Sequence, residues 1–154
     1  MSRDQIEELS LNDATTHLLE ECRMVLPGVQ ALFGFQLIAV FNSGFAQRLT
    51  LGEQRLHLVA LALVAIAGAL VMTPAAYHRQ THPRQATARF LDVGSRLVLW
   101  AMVPLMVGIG LDFYLIARVI LGDRTLSAVL ATLLVALFAA LWFVLPRFAR
   151  AARE

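Results

Sequence analysis

The chain has 154 residues, of which 58% are hydrophobic and only 16% are charged, and its mean hydropathy is +0.67. Because soluble domains carry charge on about a quarter of their residues, this composition excludes an ordinary soluble domain and a nucleic-acid-binding protein. The single cysteine, Cys22, excludes a disulfide framework. The net charge of +2 comes from 13 basic residues, all of them arginine, and in a membrane protein such an excess mainly sets orientation.

The charges are distributed very unevenly along the chain. Four stretches between arginines, each 21 to 24 residues long, contain one charged side chain in total, Asp112. Each stretch matches the ~20 residues that cross a ~30 Å hydrocarbon core as a helix. The sequence therefore predicts an all-α fold, an integral membrane four-helix bundle in which residues 1–154 form a single domain. The predicted spans are 28–45, 56–73, 97–116 and 126–145, and an amphipathic segment over 1–26 precedes them.

The arginines also predict an orientation. If the spans alternate across the bilayer, nine arginines lie on the side of both termini and four lie on the opposite side. The positive-inside rule then places both termini in the cytoplasm. We expect the cytoplasmic arginines, such as Arg147, Arg150 and Arg153, to contact anionic lipid headgroups.

The N-terminal segment predicts a cytoplasmic interfacial helix from Ala14 to Leu26, capped by Asp13. Its apolar residues recur at helical spacing on one face, and the opposite face is net acidic. Lipid-binding helices usually have basic polar faces, so we expect this helix to pack on its own protein or on a neighbouring subunit. Pro27 and Gly28 should then break or redirect the chain.

The first span is the most polar of the four, and Gln30, Gln36 and Asn42 are its candidates for the polar lining of a pathway. The alternative is that their amides form hydrogen bonds between helices, which are worth about 0.6 to 2 kcal/mol.

The second span is predicted to end at Thr73 and Pro74. His57 and His78 lie at its two ends, roughly 32 Å apart at 1.5 Å per residue, so they cannot bind one metal ion within a subunit. The sequence predicts neither a metal site nor a cofactor.

The third span contains a stripe of residues spaced by four, which includes Pro104, Gly108 and Asp112. A proline within a helix removes a backbone hydrogen bond, so Pro104 and Gly108 predict a hinge.

Asp112 is a candidate proton or cation site, because a carboxylate inside a membrane span is costly and usually functional. It lies roughly 9 Å along the helix from Arg118, toward one end of the span. The alternative is therefore a structural carboxylate that pairs with Arg118 or Arg48.

The loop after the second span contains His78, Arg79 and His82 beside further arginines. This loop is either a solvated segment that sets orientation or a sensor of pH or anionic lipid. The third and fourth spans should form a tight hairpin, with Asp123 or Thr125 as the cap of the fourth helix.

Two segments carry a family resemblance: RMVLPGVQALFGFQL at the first span and TPAAYHR after the second. They resemble an uncharacterised family of small bacterial four-span membrane proteins, some of whose members are labelled sodium:proton antiporter. The resemblance implies a multi-pass protein of the bacterial inner membrane.

We expect no enzyme, because the chain contains no phosphate-binding loop, nucleophile elbow or metal-ligand spacing. The functional hypothesis is a homo-oligomer that translocates protons or monovalent cations. The alternative is a membrane scaffold or partner subunit that transports nothing.

Overall fold

A computed structural model describes residues 3–81 and 88–151. All of the elements in these two ranges are helical. They are α1 (Arg3–Phe41), α2 (Ser43–Arg48), α3 (Leu51–Thr81), α4 (Ala88–Leu121), α5 (Arg124–Ala139), a π-helical turn (Ala140–Val144) and α6 (Leu145–Ala151).

Four of the described helical segments are long and apolar enough to cross a membrane, which confirms the predicted all-α four-helix bundle. These segments are Ser10–Phe41, Leu51–Gln80, Ala88–Leu121 and Arg124–Phe148. Each is longer than the corresponding predicted span. Helices of 25 to 34 residues extend beyond the ~20 residues that a bilayer core requires.

The N-terminal segment differs from the prediction. It is not a separate helix that begins after Asp13, because α1 runs without interruption from Arg3 through Pro27 to Phe41. A proline costs a helix one hydrogen bond. Packing on both sides of Pro27 favours one continuous helix, since Cys22 before the proline and Val29 after it are both buried.

Pro74, where the second span is predicted to end, does not end the helix, because α3 continues to Thr81. Pro74 is among the most completely buried side chains. It packs where α3 meets Gly94 of α4, whose hypothetical Cβ would lie 3.6 Å from the Pro74 Cβ. Burial of the proline ring thus stabilises a helical segment that local sequence preference would have ended.

Helices α3 and α4 pack along each other, α1 packs against both of them, and α5 packs against α4. Two glycines allow α4 to approach both neighbours closely. A Cβ at Gly108 would lie 3.0 Å from Val64 Cγ2 and 3.2 Å from the carbonyl oxygen of Ala60, both on α3. A Cβ at Gly110 would collide with Val135 of α5.

We name the two ends of the bundle after the arginines of α4. The Arg96 end contains an apolar core cluster contributed by α1, α3 and α4: Leu18, Cys22, Val71, Phe90, Val98 and Ala101. This cluster confirms that the N-terminal segment packs on its own protein. The exposed Asp92–Arg96 ion pair, at 3.1 Å, lies on α4 beside it.

The Arg118 end contains the tight turn between α4 and α5. Gly122 adopts a φ of 71° there, a conformation that glycine reaches without steric cost. The Asp123 carboxylate then accepts hydrogen bonds from the backbone N–H groups of Thr125 and Leu126, so Asp123 is the cap that the sequence predicted.

The close contact between Gly108 and α3 predicts that a larger side chain at this position destabilises the bundle. We expect Gly108→Leu to separate α3 from α4 and to lower the thermal unfolding midpoint in detergent, because overpacking costs about 1–3 kcal/mol. Gly34→Leu is the matched control, since no atom lies within 4 Å of a Cβ at Gly34. Equal midpoints for the two variants would contradict the packing account.

Candidate functional site

The Asp112 carboxylate lies where α1, α3 and α4 meet. Its Oδ1 is 3.0 Å from Nδ1 of His57 on α3, and its Oδ2 accepts a hydrogen bond from the amide nitrogen of Gln36 on α1. The side chains of His57 and Asp112 are only 8% and 15% exposed. We call these three residues the triad.

His57 has an oxygen atom opposite each ring nitrogen. Nε2 lies 3.0 Å from the backbone carbonyl oxygen of Gln36, which can only accept, so Nε2 must carry a hydrogen to form this bond. Nδ1 faces Asp112 Oδ1, and that contact is a hydrogen bond only if a proton lies between the two atoms. If both contacts are hydrogen bonds, the pair holds one shared proton between Nδ1 and Oδ1 in addition to the hydrogen on Nε2.

This shared proton keeps the pair neutral overall. The pair is either an imidazolium beside a carboxylate or a neutral imidazole beside a carboxylic acid. An unpaired charge in an apolar environment is far more costly than a neutral pair. The triad thus reduces the cost of placing Asp112 inside a membrane helix.

The predicted partners of Asp112 were wrong. Arg118 lies instead beside Glu53, with Arg118 Nε 3.4 Å from Glu53 Oε1. The other oxygen of Glu53, Oε2, accepts hydrogen bonds of 2.8 Å from both the backbone N–H and the hydroxyl of Thr50. The carboxylate is therefore fixed at the start of α3, where the helix dipole favours a negative charge.

A cleft of about 350 Å³ opens beside the triad between α1 and α4. Its walls are almost entirely apolar, and the triad supplies its polar residues. We call it the α1–α4 cleft; its lining residues are Leu32, Phe35, Gln36, Leu49, His57, Asp112, Leu115, Ile116, Val119 and Ile120.

The short helix α2 covers the triad toward the Arg118 end. The Phe45 ring meets the His57 ring edge to face, with ring centroids 5.2 Å apart. Asn42 begins α2, and its side chain accepts a hydrogen bond from the Gly44 N–H at 2.9 Å. Asn42 therefore caps a helix and lies outside the triad.

The remaining candidates from the sequence do not converge on Asp112. Gln30 lies on the exposed surface of α1. Helix α4 continues through Pro104 and Gly108, and the space beside Gly108 is filled by α3. The His78 ring lies 5.3 Å from the Phe90 ring, Arg79 is exposed, and His82 lies outside the described residues.

Sequence reasoning missed His57 as a partner of Asp112. A signal was present, because His57 lies two residues after Arg55 and Asp112 lies six residues before Arg118. In antiparallel neighbouring helices these offsets place both side chains within about two turns of the same end of the bundle. Gln36 was identified as polar, but its contact with Asp112, 76 residues away, required the tertiary fold.

Comparison with protein-family models gives one match, which covers residues 7–146. The chain belongs to DUF6328, a family of unknown function. Membership agrees with the resemblance to an uncharacterised family. Comparisons with curated proteins and with solved structures give no match.

Two substitutions at Asp112 should distinguish the contribution of its hydrogen bonds to stability from the contribution of its charge. Asparagine can still accept from Gln36 and donate to a neutral His57, so we expect Asp112→Asn to remain folded. Asp112→Leu leaves two buried polar groups without partners, at about 1–3 kcal/mol each, and should lower the thermal unfolding midpoint.

Asp92→Leu is the control, because it breaks an exposed ion pair that is worth about 0–1 kcal/mol. Equal stability of Asp112→Leu and Asp112→Asn would contradict the buried hydrogen bonds.

The geometry also predicts the tautomer of His57. In ¹⁵N NMR spectra of the reconstituted protein, we expect Nε2 of His57 to carry a proton. The chemical shift of Nδ1 should show the proton that it shares with Asp112. His17 is the reference, because its side chain is 80% exposed and both of its nitrogens should exchange freely with solvent. A bare Nε2 in His57 would overturn the assignment.

Proposed function

We propose that this multi-pass membrane protein translocates protons, with His57 and Asp112 as the proton-binding site. The observation that carries the proposal is the pair of oxygen acceptors opposite the two ring nitrogens of His57. One proton can move between Nδ1 and Oδ1 without creating net charge, and proton relays inside membranes use such residues.

The same geometry favours a proton over a monovalent cation such as Na⁺. Both oxygens of Asp112 already face nitrogen atoms, Nδ1 of His57 and the amide nitrogen of Gln36. A hard cation prefers several oxygen ligands, and N–H groups would repel it. A proton requires no such ligand shell.

A second charged pair lies one helical turn from the triad, toward the Arg118 end. Glu53 lies one helical turn before His57 on α3, roughly 6 Å along the axis, and it is paired with Arg118. Both residues are only partly accessible, at 10% and 24% exposed. In the proposed proton path, this pair would be the next charged group after the triad.

Toward the Arg96 end, the inner face of α3 is apolar over about three turns, with Ala60, Val64, Ala67 and Val71 buried. We therefore propose that the remaining path runs between subunits of a homo-oligomer. Exposed Gln30 of α1 would then line an interface between copies rather than the centre of one bundle.

The arginine distribution supports an orientation with both termini in the cytoplasm, and the family resemblance supports the inner membrane of a bacterium as the location. Arg147, exposed beyond the π-helical turn, would then contact anionic headgroups of the cytoplasmic leaflet. In this orientation the triad lies nearer the outer face, and Glu53 with Arg118 nearer still.

A scaffold or partner subunit without transport is the second candidate, and the exposure of α5 favours it. Only 6% of the most apolar stretch of the span Arg124–Phe148, which contains α5, is buried, so most of its surface is available to lipid or to another protein. Proton flux separates the two candidates.

We expect purified protein in liposomes to pass protons when a membrane potential is imposed, as measured by a pH-sensitive dye inside the vesicles. Asp112→Asn and His57→Asn should each reduce the flux at least tenfold, because neither variant retains the shared proton. Replacing Na⁺ by choline should leave the flux unchanged.

Asp92→Asn is the matched control, since its carboxylate lies outside the triad and pairs with Arg96. Absence of flux in the unmodified protein would favour the scaffold. Equal flux in the unmodified protein and Asp112→Asn would exclude the triad as the proton site.

A further inference from the structure

The α1–α4 cleft opens toward the surface that would face lipid. Three residues at its rim are among the more exposed apolar side chains, with Phe35 at 70%, Ile116 at 58% and Ile120 at 74%. In a bilayer such side chains contact acyl chains. A molecule dissolved in the membrane can therefore enter the cleft sideways, between α1 and α4.

The cleft has the chemical character of a ligand site. Small-molecule sites are mostly apolar cavities of about 300–1,000 Å³ with a few polar groups that fix orientation. The α1–α4 cleft, at about 350 Å³, meets this description, since Gln36, His57 and Asp112 supply its polar residues. Its apolar walls suit a hydrocarbon chain.

One polar atom beside the cleft lacks a partner. The side-chain oxygen of Gln36, Oε1, is buried and accepts no hydrogen bond, although the residue is only 4% exposed. The amide nitrogen of the same side chain is already committed to Asp112. An unsatisfied buried acceptor costs about 1–3 kcal/mol, so this oxygen favours a ligand that donates a hydrogen bond.

We propose that the α1–α4 cleft binds a membrane lipid with a terminal hydroxyl group. Entry of the lipid displaces the side chains that enclose Gln36 Oε1, so that the hydroxyl donates to this oxygen and the apolar chain lies among the walls formed by α1 and α4. An ether or ester oxygen cannot replace the hydroxyl, because it has no hydrogen to donate. This site does not depend on proton translocation, so the two proposals can fail separately.

Photolabelling tests the site on the full chain in liposomes. The probe is 1-dodecanol with a photoreactive diazirine in its chain, and labelled peptides are identified by mass spectrometry. We expect labelling of α1 and α4 at the cleft. Unlabelled 1-dodecanol should compete at least tenfold better than dodecyl methyl ether, which corresponds to about 1.4 kcal/mol for one hydrogen bond.

Three variants locate the interaction. Gln36→Leu should abolish the preference for the alcohol over the ether, and Gln30→Leu, on the exposed surface of the same helix, should preserve it. Ile116→Trp should fill the cleft and prevent labelling without altering the triad. This last variant keeps the test decisive if Gln36→Leu does not fold.

Two results would overturn the proposal. Equal competition by the alcohol and the ether would show that the cleft accepts acyl chains without recognising a hydroxyl. Labelling spread evenly over the exposed faces of the helices, and unchanged in Ile116→Trp, would show that the probe only reports contact with the membrane.

Discussion

A carboxylate inside an apolar helix bundle needs a partner that removes its charge or satisfies its oxygens. Asp112 has a partner at each oxygen: His57 Nδ1 lies 3.0 Å from Oδ1, and Gln36 donates a hydrogen bond to Oδ2. These partners belong to two other helices, so the need to neutralise one side chain ties α1, α3 and α4 together at the Arg118 end. The apolar cluster around Phe90 joins the same three helices at the Arg96 end.

Helix packing sets the distances in the triad. Gly108 permits α4 to approach the Ala60 carbonyl of α3, and these two residues lie one turn from Asp112 and His57 respectively. A larger side chain at this contact would move the carboxylate away from the imidazole. Gly108, which the sequence indicated as part of a hinge, therefore sets the approach of α4 to α3 beside Asp112 and His57.

The triad lies between a charged pair and an apolar cleft. Through His57 it lies one turn from the charged pair of Glu53 and Arg118, while Gln36 and Asp112 line an apolar cleft open to the surface that would contact lipid. The proposed proton exchange and the proposed lipid recognition would use different atoms, since the first involves His57 and Asp112 and the second involves the unpaired oxygen of Gln36. One small bundle can support both.

The sequence by itself determined the all-α class and the number of helices able to cross a membrane, because hydropathy acts over a few neighbouring residues. It also limited the cap of the fourth helix to Asp123 or Thr125 and indicated Asp112 as the one charged residue within the predicted spans. Only the tertiary structure decided that helices continue through Pro27 and Pro74, since burial against other helices there outweighs local preference. It also decided that Asp112 pairs with His57 and Gln36 rather than with an arginine. Those partners lie 55 and 76 residues away, and only helix packing brings them into contact.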